Sequence, residues 1–259
     1  MDPKARIALL IDADNVSARR IDLILNELSG YGETSIRRAY GNWTKPELRG
    51  WAGVLHENAI RPMQQYDYTS GKNASDMALV VDAMALLYTD RPDAYAIVSS
   101  DGDFTPLVMH LREKGAAVYG FGERKTPEPF KSACSRFLVL DQLDVDEEPT
   151  TAGEAGSSGT EGTDERPVRL QVPTAELKQD AKLVSLLRRA VQGAADDDGW
   201  ALVGTVGQHI ANQSSFDPRN YGYAKLSKLL DACELFDMKG EGTSALAVRD
   251  KRLAKGGRR

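Results

Sequence analysis

Ile7-Ala8-Leu9-Leu10-Ile11 is an unbroken apolar run that ends at a carboxylate, Asp12, and the pattern returns where Ala94–Ser99 runs into Asp101. Short apolar runs bounded by turn chemistry mark strands buried on both faces, as in a parallel sheet covered by helices. The segments between them alternate accordingly. Ser17–Leu28 carries Ile21, Ile24, Leu25 and Leu28 at helical spacing, with Ser17 as candidate N-cap. Thr34–Tyr40 reads as a strand, Pro46–Glu57 as a helix with proline near its favoured start, and Ile60–Gln65 as a short strand. Ala74–Tyr88 reads as a helix whose apolar face is Met77, Val80, Val81, Met84, Leu87 and Tyr88. Asp103–Lys114 follows as a helix, Gly115–Phe121 as a strand and Phe137–Leu140 as an edge strand. This alternation predicts an α/β fold over residues 1–145, a Rossmannoid parallel sheet flanked by helices.

In such sheets chemistry collects beyond the C-terminal ends of the strands. The sequence places Asp12-Ala13-Asp14-Asn15 after the first strand and Ser99-Ser100-Asp101-Gly102-Asp103 after the strand at 94. Ser75-Asp76 stands at the start of the helix at 74. Singly, each has an ordinary use: Asp103 as a helix cap, Asp-Gly as a turn. Together they bring several carboxylates into one crevice, where like charges repel unless a cation neutralises them. An Asp/Asn set without Cys or His suits a hard divalent cation, Mg²⁺ or Mn²⁺. Asp14 and Asp82 stay open as further ligands or as capping and structural groups.

The formal charge of −5 argues, as a total, against a nucleic-acid partner. It is unevenly spread: −1 over residues 1–140, −8 over 141–166 and +4 over 167–259. Residues 146–167 are rich in Gly, Ser, Thr and Glu and have no aromatic residue, the composition of a disordered, charge-extended linker. A second domain over 168–250 and a basic, unstructured tail over 251–259 complete the expected organisation. Positive charge on that domain is the sign expected of a surface that recruits nucleic acid. Cys134 and Cys233 lie far apart among apolar neighbours and read as buried, reduced thiols. No apolar run approaches the ~20 residues needed to span a bilayer, and no signal peptide is evident, so a cytoplasmic protein is expected.

Three motifs in order carry a resemblance over about residues 5–140. Ile11-Asp12-Ala13-Asp14-Asn15, Lys72-Asn73-Ala74-Ser75-Asp76-Met77 and Val98-Ser99-Ser100-Asp101-Gly102-Asp103-Phe104 are similar to those of the NYN domain, a PIN-like, metal-dependent ribonuclease. The resemblance implies that Asp12, Asp76, Asp101 and Asp103 form the metal-binding, catalytic tetrad. It implies that Asn15 helps position substrate, that Ser99 or its neighbour Ser100 matches the family's serine or threonine, and that Lys72 contacts phosphate.

Beyond Val168, helices are expected at Ala175–Gln192, Leu202–Asn212 and Tyr223–Cys233, then a hairpin wing from Leu235 to Val248. Three helices and a hairpin make a small winged-helix α+β domain. Gly199-Trp200-Ala201-Leu202-Val203 and Phe216-Asp217-Pro218-Arg219-Asn220-Tyr221-Gly222-Tyr223-Ala224-Lys225-Leu226 resemble the LOTUS (OST-HTH) domain over about residues 177–250. That resemblance implies binding of RNA, including G-rich or structured RNA, and of protein partners. Arg219, Lys225 and Lys228 offer phosphate charge, and Tyr221 and Tyr223 offer stacking faces. Arg219 reads equally as a structural pairing residue, and Phe216, Leu226 and Leu229 read as core.

The expected function is metal-dependent hydrolysis of RNA phosphodiesters with a C-terminal RNA-binding module. A catalytically silent RNA-binding scaffold is the alternative. A haloacid-dehalogenase-like phosphatase is a further one, because Asp12-x-Asp14 follows the first strand.

Overall fold

The computed structural model of the chain describes residues 4–66, 73–143, 171–240, 242–243 and 245–254. Its first unit is built on six parallel strands: β1 (Arg6–Asp12), β2 (Glu33–Gly41), β3 (Arg61–Gln64), β4 (Ala94–Val98), β5 (Ala117–Gly122) and β6 (Arg136–Val139). The helices between them are α1 (Ile21–Ser29), α2 (Trp51–Glu57), α3 (Ala74–Thr89), α4 (Thr105–Glu113) and α5 (Glu128–Ala133), and α6 (Leu140–Leu143) follows β6. The strand order is β3-β2-β1-β4-β5-β6. The chain therefore winds outward on one side, returns through α3, and winds outward on the other. The reversal lies between β1 and β4, and it opens a crevice at their C-terminal ends.

Strand alternation divides the core in two. Ile7, Leu9 and Ile11 of β1 pack with Ile21, Ile24 and Leu28 of α1 on one face. Ala8 and Leu10 pack with Leu79 and Ala83 of α3 and Val108 and Leu111 of α4 on the other. All six β1 residues after Arg6 are buried, as expected of a strand covered on both sides.

The second unit comprises α7 (Thr174–Gln179), α8 (Ala181–Ala194), β7 (Ala201–Leu202), α9 (Val203–Gln213), α10 (Leu226–Ala232), β8 (Phe236–Lys239), β9 (Ala247–Asp250) and α11 (Lys251–Ala254). The three strands pair antiparallel in the order β7-β9-β8, the wing of the expected winged helix. Leu183, Leu187, Val206, Ile210, Leu229 and Leu230 form its core. Cys233 is buried here and Cys134 in the first unit, both as free thiols, and burial pushes them up to about 11 and about 12.

Several sequence expectations are corrected. Ser17 precedes a 3₁₀ turn, Ala18–Arg20, and its hydroxyl makes no cap hydrogen bond. The single helix expected over Ala175–Gln192 is two, because the Asp180 carboxylate accepts a hydrogen bond from the Leu183 amide and starts a new helix. The helix expected to begin at Tyr223 begins at Leu226, after the left-handed Gly222 ends a 3₁₀ turn. Helix α5 was not anticipated. In α3 the buried face is Leu79, Ala83 and Leu86, while Met77, Val81 and Tyr88 of the expected core face are 59%, 63% and 59% exposed. A helix apolar on all sides carries no periodic signal of which side will pack. Lys251–Ala254 of the expected unstructured tail is a short helix. The expected linker and Lys72 lie outside the described residues.

Candidate active site at the sheet reversal

Asp12 is the last residue of β1 and is 1% exposed. Its Oδ2 accepts hydrogen bonds from Asn15 Nδ2 and from Ser99 Oγ, each at 2.8 Å. Its Oδ1 is buried and has no partner among the described residues. Ser99, just past β4, is fully buried, and its Oγ also accepts the Asp101 amide at 3.1 Å. One hydroxyl thus bridges the ends of the two strands that flank the reversal. Ser100 ties the next strand in, its Oγ accepting the Glu123 amide at 2.9 Å.

Asp101 Oδ1 accepts the Asp103 amide at 2.8 Å, so Asp101 caps the 3₁₀ turn that precedes α4. The sequence suggested Asp103 for that task. Gly102 between them packs tightly on Pro127: a Cβ there would lie 3.1 Å from Pro127 Cγ. Asp76 sits in the first turn of α3. Burial pushes its carboxyl up to about 6, and repulsion from Asp12, Asp101, Asp14 and Asp103 adds to the rise. Burial likewise raises Asp12 above the usual carboxylate range, against the hydrogen bonds from Asn15 and Ser99. Asp12, Asp101 and Asp103 of the expected tetrad therefore all stand within electrostatic reach of Asp76.

Sequence reasoning missed two neighbours. Ser75 Oγ donates to Asp14 Oδ2 at 2.7 Å, and Lys45 Nζ approaches Asp14 Oδ1 at 3.3 Å. The adjacency of Ser75 to Asp76 was the available signal for the first; nothing local marked the second. Asp82, left open as a ligand, instead accepts hydrogen bonds from Arg38 and from the Tyr40 hydroxyl. It is a strut between α3 and β2.

An orphaned buried oxygen on Asp12 and a protonation-prone Asp76 among carboxylates are what a divalent cation would satisfy, and an all-oxygen donor set fits Mg²⁺ or Mn²⁺. Among the described residues, no three such side chains are already drawn together as a closed coordination cluster.

The second unit's candidate residues separate. Arg219 is fully engaged: Nη1 and Nη2 donate to Glu27 of α1 at 2.7 and 2.8 Å, and Nε and Nη2 donate to Asp217 at 3.0 Å each. Buried Asp217 also receives Arg136 of β6. Tyr221 donates to Asp180 Oδ2 at 3.3 Å and is partly buried against the core of its unit. Lys225 and Lys228 are exposed, and among the described residues their ammonium groups have no ion-pair partner. Of the four, only the two lysines remain available to a ligand as charge; Arg219 takes the structural role.

The NYN domain family matches residues 6–141, and the OST-HTH/LOTUS domain matches residues 177–248. The chain belongs to the NYN domain family, whose members are PIN-like nucleases, and carries a C-terminal LOTUS domain, a class associated with RNA binding. An uncharacterized protein of Methanocaldococcus jannaschii is 30% identical over 121 residues, covering 45% of this chain and 47% of that protein. The chain thus spans about half the length of this curated relative. A protein of unknown function from Vibrio parahaemolyticus has a structure similar at a TM-score of 0.47 and 22% identity, covering 54% of this chain and 96% of that one. An uncharacterized protein of Nitrosomonas europaea is 28% identical, with a TM-score of 0.25, covering 38% of this chain and 92% of that one. The family match sets aside the phosphatase alternative. Among the described residues no helix is long and apolar enough to cross a membrane.

Proposed function

We propose that this chain is a metal-dependent ribonuclease of the cytoplasm that hydrolyses RNA phosphodiester bonds, with the LOTUS domain as its RNA-recruiting module and as a site for protein partners. The observation that carries this reading is the buried Asp12 Oδ1, which has no partner among the described residues; beside it, burial and repulsion from Asp12, Asp101, Asp14 and Asp103 raise the Asp76 carboxyl. Such mutual repulsion is costly unless the site serves a cation. In this reading Asp12, Asp76, Asp101 and Asp103 hold Mg²⁺ or Mn²⁺. When bound, the ion supplies charge neutralisation for the phosphodiester and a lowered pKa for an attacking water.

The chain's own groups prepare that site. Ser99 and Asn15 hold Asp12 Oδ2, which leaves Oδ1 as a buried, unshared anionic acceptor. The Ser99 hydroxyl also fixes the Asp101 backbone, and Asp101 fixes Asp103. Lys45 and Ser75 hold Asp14 beside the tetrad. Lys72 contacts phosphate and Asn15 aids substrate placement in the same proposal. A catalytically silent RNA-binding scaffold is the second reading, favoured by the absence of a closed acid cluster among the described residues.

The deciding experiment incubates the full chain and its Asp101→Asn variant with single-stranded, structured and G-rich RNA, in Mg²⁺, Mn²⁺ or EDTA. Cleavage by the wild type with metal, abolished by EDTA and lowered at least about a hundredfold by the substitution, is expected. Equally intact RNA in every arm sinks the nuclease reading and leaves the scaffold.

A further inference from the structure

The two units meet along β6. Asn220 Nδ2 donates to Phe137 O and its Oδ1 accepts the Val139 amide, each at 2.9 Å, while the Phe137 amide donates to Ser215 O at 3.1 Å. With the Arg136–Asp217 and Arg219–Glu27 pairs, these bonds fix the register of one unit against the other. Beside this seam lies a cleft of about 610 Å³. Arg124 and Lys131 line it from the first unit, and Lys182, Phe216 and Tyr221 from the second.

The cleft begins next to the acid loop. Gly102, between Asp101 and Asp103, packs on Pro127, and the next residue, Glu128, lines the cleft. Arg124 follows Glu123, whose amide is held by Ser100. Both connections lie at the C-terminal ends of the strands, the same edge of the sheet as the acids. The acids of the cleft are already matched: Asp217 by Arg136 and Arg219, Glu128 by Lys131, and Asp180 by the Leu183 amide and the Tyr221 hydroxyl. The cations Arg124 and Lys182 are exposed and, among the described residues, carry no side-chain partner. Phe216 and Tyr221, with ring centroids 5.9 Å apart, are only partly buried and supply aromatic surface on the second unit's wall, facing Arg124's unit. Unpaired cations beside aromatic faces in a groove are the chemistry that holds single-stranded nucleic acid.

We propose that this inter-domain cleft is the track that delivers a single RNA strand to the acid crevice, with Arg124 and Lys182 on its phosphates and Phe216 as its stacking face. The track rests on the ribonuclease reading for its ligand. It makes the docked arrangement of the two domains part of the substrate site, and it assigns phosphate contact to Arg124 and Lys182, which lie in neither family motif.

The test measures binding of a fluorescein-labelled oligouridine to the full chain by anisotropy across a salt series. All proteins carry Asp101→Asn so that no strand is cut. Arg124→Glu/Lys182→Glu is expected to weaken binding at least about tenfold and to lower the salt slope by about 1.4, as for two lost phosphate contacts on a single strand. Arg91→Glu/Lys114→Glu, at the opposite end of the sheet beside Gly115 and Ala116, makes the same change in net charge and is expected to leave binding unchanged. Circular dichroism confirms that each variant is folded. Unchanged affinity of Arg124→Glu/Lys182→Glu, an equal loss in Arg91→Glu/Lys114→Glu, or no binding by the Asp101→Asn chain overturns the track. Cleavage by the wild type, measured separately, decides the nuclease reading: an uncut strand that still needs Arg124 and Lys182 for binding leaves the track standing without it.

Discussion

The Arg219 guanidinium holds both carboxylate oxygens of Glu27, at 2.7 and 2.8 Å, across 192 positions of sequence. This bidentate pair joins the LOTUS domain to the first helix of the NYN domain. Arg219 also grips Asp217 on its own domain, so both partners converge on a single side chain. Arg219→Ala is expected to weaken the docking by about 2 kcal/mol, in line with a lost charged hydrogen-bond pair. Small-angle scattering should show an expanded particle, and calorimetry should show the domains unfolding separately rather than together.

Docking should also respond to acid. Burial pushes the Glu27 carboxyl up, but the hydrogen bonds from Arg219 and Tyr31 outweigh it and hold the group below its ordinary 4.5. A carboxyl depressed in the folded state contributes stability that is fully present above its unfolded value and is lost as pH falls through its folded value. Domain association is therefore expected to hold at neutral pH and to weaken progressively as pH drops below about 4.5. Scattering on a pH series measures this, and Glu27→Gln should remove the dependence.

Ser99 links Asp12 to the Asp101 backbone, so Ser99→Ala should loosen two members of the acid set at once. Cleavage is expected to fall about ten- to a hundredfold, the range for groups that orient metal ligands. The cost in stability should be only about 1 kcal/mol, that of one hydrogen-bonding hydroxyl. Single-turnover rates and urea melts of the same preparations separate the two effects.

Asp82 should behave in the opposite way. It takes hydrogen bonds from Arg38 and Tyr40 in a half-buried setting, with side-chain exposures of 17% for Asp82 and 21% for Arg38. Asp82→Asn is expected to cost about 2 kcal/mol of stability, because it leaves a partly buried arginine without its counter-charge. Titration calorimetry with Mn²⁺ should give an unchanged affinity. A lost Mn²⁺ affinity at intact stability would return Asp82 to the ligand set.

Much of the first domain is readable in the sequence because its signals are local. The apolar run Ile7–Ile11 is buried whole, and Phe137 and Leu138 lie in the parallel edge strand expected there. The placement of Asp12, Asp76 and Asp101 at strand ends and a helix start follows from the same alternation. Elsewhere the local signal was ambiguous. Asp180 sits inside an apparently continuous helical pattern, yet its side chain caps a new helix. Asp103 reads as the cap in the sequence, yet it is the Asp101 carboxylate that accepts the Asp103 amide and caps the turn.

Local sequence suffices for the alternation of strands and helices in the first domain, the parallel sheet and the edge of that sheet on which the acids gather, because hydrophobic period and turn chemistry act over a few neighbouring residues. Tertiary structure decided which side of α3 is buried, why Asp82 is a strut, and that Arg219 binds Glu27. Each of these depends on a partner tens to hundreds of residues away, and a charged side chain does not announce whether it will meet a phosphate or a carboxylate. That choice is made by what the fold places within hydrogen-bond distance, where a buried charge must be paired to be tolerated.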